Sequence, residues 1–174
     1  SALSLYCLEQ KDFGGAVQAR ARKSQPLFNE SVISTTRQDV VAATASRYAP
    51  ASPCERLADV KQSSKAHVFV GKPCDVAGAA KLSSVDGKLK ENIGLSISIF
   101  CAGTPSTAAT QELIDFLGVQ HDDEIIDVRY RGKGWPGLMT VTYRSAESGE
   151  IETSSVPYAQ GWGEILQKHT QWRC

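Results

Sequence analysis

Two stretches of this chain repeat one local design, and that design restricts the fold more than any other feature. Ala66 to Val70 is a short, continuous apolar run, followed by Gly71-Lys72-Pro73-Cys74 and a small-residue helical segment from Asp75 to Leu82. Leu95 to Phe100 alternates Leu95, Ile97 and Ile99 with Ser96 and Ser98, then runs through Cys101-Ala102-Gly103-Thr104-Pro105 into a second helical segment. A strand that passes through a tight turn into a helix is half of a βαβ unit, and strands joined in that way lie parallel. Parallel strands deliver both cysteine-bearing turns to the carboxyl edge of one sheet, where open α/β sheets bind ligands. The free N–H groups of the helix starts suit that edge to anions, cofactor phosphates included.

Other elements follow from period and caps. Val32-Ile33 is a short strand. Thr36 as N-cap with Asp39 three residues on opens a helix through Val40 and Val41. Pro53 starts a further helix holding Leu57 and Val60. Thr104 as N-cap, Pro105 at the first helical position and the stripe Ala109, Leu113, Leu117 predict a helix that Gly118 closes. After residue 123 the pattern changes. Ile126, Val128 and Tyr130 alternate with polar neighbours, Met139, Val141 and Tyr143 repeat the alternation, and Ser148-Gly149 turns into a strand around Ile151. A last helix is expected to carry Trp162, Ile165, Leu166 and His169. The fold class is α/β, with parallel strand–loop–helix units and a C-terminal antiparallel strand layer. Residues 1–31 show no sustained period and are expected to be poorly organised, leaving 32–174 as the domain.

Charge and cysteine usage narrow the function. Nineteen basic and nineteen acidic side chains cancel, and the short run Arg20-Ala21-Arg22-Lys23 has no interleaved aromatics, which argues against nucleic acid as the main partner. No apolar run approaches the ~20 residues of a membrane span. The five cysteines, Cys7, Cys54, Cys74, Cys101 and Cys174, are odd in number and widely spaced. They argue against a disulfide framework and for a reducing, cytoplasmic setting.

Cys74 and Cys101 read either as inert buried thiols or as reactive or metal-binding ones. Their place in polar turns at helix starts favours the second reading, because a helix N-terminus lowers a thiol pKa. Gly132-Lys133-Gly134-Trp135-Pro136-Gly137 matches the letters of a dinucleotide-binding fingerprint but not its context, since a strand rather than a helix follows. It is either a hairpin connection or a loop over a planar ligand, with Arg129, Arg131 and Lys133 beside it. His67, His121 and His169 have no zinc-peptidase spacing, and no nucleophile elbow is present.

Taken together, Ala45-Ser46-Arg47-Tyr48, Val70-Gly71-Lys72-Pro73-Cys74-Asp75, Phe100-Cys101-Ala102-Gly103-Thr104-Pro105-Ser106, Arg129 to Gly137 and Trp172-Arg173-Cys174 make the chain resemble the coenzyme F420 hydrogenase/dehydrogenase beta-subunit family over roughly residues 32–174. The resemblance implies a flavoprotein that binds FAD, carries a 4Fe-4S cluster and passes electrons between coenzyme F420, or a related hydride donor, and a redox partner protein. Similar bacterial proteins are linked to polysaccharide synthesis. The alternatives are a docking or electron-transfer module without catalysis, or an apo fragment of a longer enzyme. The resemblance implies Cys74, Cys101 and Cys174 as cluster ligands, with the second cysteine of a terminal pair absent, so the domain is expected to be truncated there. It implies Ser46, Arg47, Tyr48, Gly71, Lys72, Pro73, Gly103, Thr104 and Trp135 as flavin contacts. Lys72, which stands where the family has threonine, is expected to stabilise the reduced ring by its charge.

Overall fold

In the computed structural model, which describes residues 1–174, the chain divides into two units. The first comprises 1–20, 30–44 and 51–101, and the second 21–29, 45–50 and 102–174.

The first unit is built on a four-stranded sheet in the order β2-β1-β3-β4, with β1 at Phe13–Arg22, β2 at Gln25–Ser34, β3 at Ala66–Gly71 and β4 at Ile93–Ser98. β1 and β4 both pair parallel to β3, in registers such as Val17↔Phe69 and Val70↔Ile97. The crossover from β3 to β4 runs through α4 (Pro73–Val85) and α5 (Gly87–Asn92). Proline at the start of α4 forfeits an N–H that a helix start leaves unpaired anyway. Asp86 caps α5 by accepting from the Leu89 N–H at 3.1 Å. Under one face of the sheet, Val17 and Phe69 pack on Leu57 and Val60 of α3 (Leu57–Gln62), Ala79 of α4 and Leu89 of α5. On the other face Ala16 and Val68 meet Cys7 of α1 (Ala2–Glu9). Between β2 and α3, α2 (Arg37–Ala42) has the expected capping box: the Asp39 N–H donates to Thr36 Oγ1, and the Thr36 N–H to Asp39 Oδ2, both at 3.1 Å.

Residues 1–31 are therefore not poorly organised: they hold α1, β1 and most of β2. β1 escapes pattern reading because Gly15 to Gln18 are all buried, and a strand covered on both faces has no alternation to show. Gly14-Gly15 belongs to this strand rather than to a turn. A Cβ on Gly14 would stand 3.3 Å from the His67 ring, and one on Gly15 would stand 2.7 Å from Ile33 Cγ2.

His67 is buried, and its Nδ1–H donates to the Lys65 carbonyl at 3.0 Å. Burial pulls its pKa below the usual 6.5. The sign follows from linkage: below about pH 6.5 the unfolded chain takes up a proton that the folded chain refuses. The contribution of His67 is thus complete above pH 6.5, is lost as pH falls towards the lowered folded value, and levels off beneath it. Urea denaturation between about pH 8 and 5 should show this decline, and His67→Gln should flatten it. An unchanged slope in the variant would remove His67 as its source.

The second unit holds the antiparallel sheet β5-β6-β7, at Glu124–Arg129, Leu138–Arg144 and Ile151–Pro157. Val128, Tyr130, Met139, Val141 and Val156 pack with Ala109, Leu113 and Ile114 of α6 (Thr107–Phe116), and with Ile165 and Leu166. The N-cap of α6 is Ser106, not Thr104. Pro105 instead bridges to Thr170, and the Gln171 N–H donates to the Thr104 carbonyl at 3.0 Å. Gly118, at φ 75°, closes the helix as expected. The expected last helix is broken into an α-turn (Tyr158–Gln160), a π-turn (Gly161–Ile165) and a 3₁₀-turn (Leu166–His169). Gly161 sits where a Cβ would stand 2.5 Å from Met139 Sδ, so the turn presses its backbone onto β6. No helix is long and apolar enough to cross a membrane.

Candidate cofactor site

In the first unit, parallel pairing brings both turns to one sheet edge. Gly71 pairs with Ser98 at the ends of β3 and β4, and the Ile99 N–H donates to the Gly71 carbonyl at 3.0 Å. The Lys72-Pro73-Cys74 turn follows one strand end, and Ile99, Phe100 and Cys101 follow the other. Cys74 and Cys101 are exposed. Gly71 has no Cβ because one would stand 2.8 Å from Asp75 Cβ. That approach lets Asp75 Oδ2 accept from the Lys72 N–H at 2.9 Å. Lys72 Nζ lies 2.7 Å from the same carboxylate and donates to the Ala51 carbonyl at 3.1 Å. Its charge is therefore largely balanced by Asp75, which weakens the field it can direct at a ligand. Cys54 donates its thiol to the Asp75 carbonyl at 3.4 Å, and burial pushes its pKa up, so it rests there as a thiol.

In the second unit, Ala45 takes φ 121°, a strained value for an L-residue, just before Ser46. Ser46 is half-buried. Arg47 is a structural clamp: Nε donates to Asn29 Oδ1 at 2.8 Å, Nη1 to the Val128 carbonyl at 2.6 Å and Nη2 to the Pro26 carbonyl at 2.7 Å. Its guanidinium also stands 5.0 Å from the Tyr130 ring centroid. These bonds leave little of Arg47 for a flavin. Tyr48 is surrounded by rings, with centroids 5.6 Å from Tyr130, 6.1 Å from Tyr158 and 5.0 Å from Trp162.

Trp135 lies in the loop between β5 and β6, joined to Pro136 by a cis peptide bond, and is 84% exposed. Arg131 stacks beneath it, 4.2 Å from its ring centroid, and stands 4.4 Å from the Tyr158 ring. Burial first, and then the neighbouring Tyr48 hydroxyl, push the Tyr158 pKa up to about 12, against the pull of Arg131. Gly103, at φ 108°, packs on the chain's last segment, where a Cβ would lie 3.6 Å from Cys174 Cβ. Thr104 is tied to that segment through Gln171.

Arg131, Tyr158 and Trp162 are the residues that the sequence analysis did not single out as ligand contacts. Arg131 was visible as a cation beside the glycine-rich loop. Tyr158 carries no local signal, because it meets Arg131 and Tyr48 only through the folding of β7.

All five cysteines are free, and no group of three or more His, Cys, Asp or Glu side chains comes together at metal-binding separation. Cys74 and Cys101 lie in the first unit and Cys174 in the second. The aromatic group around Arg131 does fit a planar, negatively charged ligand: it offers ring faces beside a cation that has no protein acceptor.

A search of curated proteins finds no match to this sequence. Among solved structures, the fold matches a chain of the F420-reducing [NiFe] hydrogenase complex from Methanosarcina barkeri at a TM-score of 0.67 and 18% identity. The match covers 99% of this chain and 56% of that one, so the present chain spans little more than half of the relative's length. Residues 1–58 match the family model of the coenzyme F420 hydrogenase/dehydrogenase beta subunit N-terminal part, and residues 65–174 match that of its C-terminal part. The likeness thus reaches back to residue 1, beyond the start that the sequence motifs indicated. With both halves matched in order and the expected parallel and antiparallel layers in place, the chain belongs to the coenzyme F420 hydrogenase/dehydrogenase beta-subunit family.

Proposed function

We propose that this protein is a flavin-dependent electron-transfer subunit, exchanging reducing equivalents between coenzyme F420, or a related hydride donor, and a redox partner protein. The observation that carries the reading is the family match over both halves of the chain. The solved relative belongs to a hydrogenase complex, which supports a partner subunit. FAD, when bound, supplies the ability to accept a hydride and to release electrons one at a time; the protein's part is to bind, orient and exclude water.

In the second unit, Trp135 and Tyr48 would supply ring faces for that group, with Ser46 and the Gly103-Thr104 turn at its margin. Gly71, Lys72 and Pro73, in the first unit, are proposed as flavin contacts from the family likeness alone. Lys72 would act as a cation already moderated by Asp75. Cys74, Cys101 and Cys174 are proposed as cluster ligands by donor type alone, and no electron step is assigned to a cluster. Free thiols fit a cytoplasmic setting. A second reading, a docking module without turnover, draws support from the Lys72–Asp75 pair, which occupies the one side chain expected to be catalytic.

The test is anaerobic reconstitution of purified protein with FAD, iron and sulfide, followed by a F420H₂ oxidation assay with an artificial one-electron acceptor. Bound FAD and acceptor reduction are expected. Tight partner binding without flavin uptake or turnover would establish the docking reading instead. Iron uptake that survives Cys74→Ser and Cys101→Ser would remove those residues as ligands.

A further inference from the structure

Arg47 and Arg131 stand in one unit and are used in opposite ways. Arg47 donates three hydrogen bonds to the protein. Arg131 donates none and has no carboxylate partner; its contacts are the two aromatic rings. A guanidinium held between ring faces has its plane fixed, while its in-plane N–H donors remain free along the edge. That fork matches a phosphate or carboxylate with little further loss of side-chain freedom. The neighbouring ionisable groups do not neutralise it. Tyr158 stays protonated far above neutral pH, and Asp127 lies 3.8 Å from Arg129. Lys133 adds a further positive charge in the same loop. The clamp is open on one side, because Trp135 is almost fully exposed. An exposed indole above an unpaired, oriented guanidinium is an arrangement that water alone does not require.

We propose that Arg131 is an anion anchor, binding the phosphate of a planar, phosphate-bearing aromatic ligand whose ring stacks on Trp135. The inference rests on the reading of the chain as flavin- and F420-linked, and deepens it by naming the residue that holds the ligand's charge. Two ligands share this chemistry, a flavin nucleotide and the deazaflavin donor.

The experiment measures the affinities of the purified protein for riboflavin, FMN and coenzyme F420 by equilibrium dialysis, at low and high salt. The wild type should bind FMN about tenfold more tightly than riboflavin, and salt should erase that preference. Arg131→Gln should lose the preference with riboflavin binding unchanged, Arg131→Lys should retain part of it, and Trp135→Leu should weaken all three ligands. A loss in Arg131→Gln confined to F420 assigns the anchor to the donor, and one confined to FMN assigns it to the flavin; either result supports the inference. If wild-type binding is intact but neither salt nor Arg131→Gln changes the preference, the inference is overturned and the proposed function stands. If the wild type binds none of the three, both fall. The salt dependence needs no variant, so its absence overturns the inference even if a substitution impairs folding.

Discussion

Arg47→Ala should destabilise the protein by about 3 kcal/mol, lowering its thermal midpoint by roughly 6–12 °C. The guanidinium reaches three acceptors on two segments that are distant from each other in sequence. It donates to the Pro26 carbonyl and Asn29 Oδ1 near the tip of the β1–β2 hairpin, and to the Val128 carbonyl in β5. Burial lowers the Arg47 pKa, but the group stays charged at any physiological pH. Its removal strands three acceptors where water has poor access, and leaving such groups unpaired costs more than an average hydrogen bond contributes. Asn29 is affected too, since its amide also donates to the Ala49 and Pro50 carbonyls at 3.0 and 3.1 Å. Arg47→Lys should recover little, because a single ammonium cannot serve three divergent acceptors. Differential scanning calorimetry checks this. A midpoint within about 2 °C of the wild type would show that water replaces the clamp without cost.

Gly137→Ala should be the other large effect, and it acts on backbone alone. Gly137 takes φ 86°, and a Cβ there would run into the Gly132 carbonyl oxygen while lying 2.8 Å from that of Gly134. Neither obstacle is a flexible side chain, so the loop itself must move. The left-handed conformation costs an alanine about 1–2 kcal/mol, and the collision adds a comparable amount. Two hydrogen bonds cross this point: the Leu138 N–H donates to the Gly132 carbonyl at 2.8 Å, and the Tyr158 N–H to the Gly137 carbonyl at 3.0 Å. The substitution should therefore also disturb the stacking of Arg131 with Trp135 and Tyr158. Near-ultraviolet circular dichroism should lose intensity in the tryptophan region at a temperature where the far-ultraviolet spectrum is unchanged. Retained intensity would mean that the loop absorbs the methyl group without moving the clamp.

These particulars show why some of the chain was legible in sequence and some was not. Thr36 with Asp39 announces a helix start because its bonds close within four residues. The antiparallel layer was readable from alternation, as at Met139, Val141 and Tyr143, which are buried as expected. Thr104 misled because its backbone is tied to a segment more than sixty residues later in the chain, a competitor that local propensity does not register. Gly14 and Gly15 interrupt any period in the sequence, and they serve close packing of His67 and Ile33. At the site, Trp135 was visible in its glycine-rich setting, whereas the ring that completes the clamp, Tyr158, was not. Arg47 was a flavin contact only by what the family resemblance implied, and the fold reveals protein acceptors for its donors.

The parallel pairing of β1 with β3 also sets an order of events during synthesis. Phe13 and Ala66 are neighbours in the finished sheet, but roughly fifty residues separate them in the chain. At ordinary translation rates β1 emerges roughly three to ten seconds before its parallel neighbour exists. Throughout that interval β2 is its one strand partner, and the opposite edge stays open to any extended peptide nearby. The β1–β2 hairpin is thus the nascent chain's own escort, shielding half of the strand while the ribosome completes the other half of its surroundings.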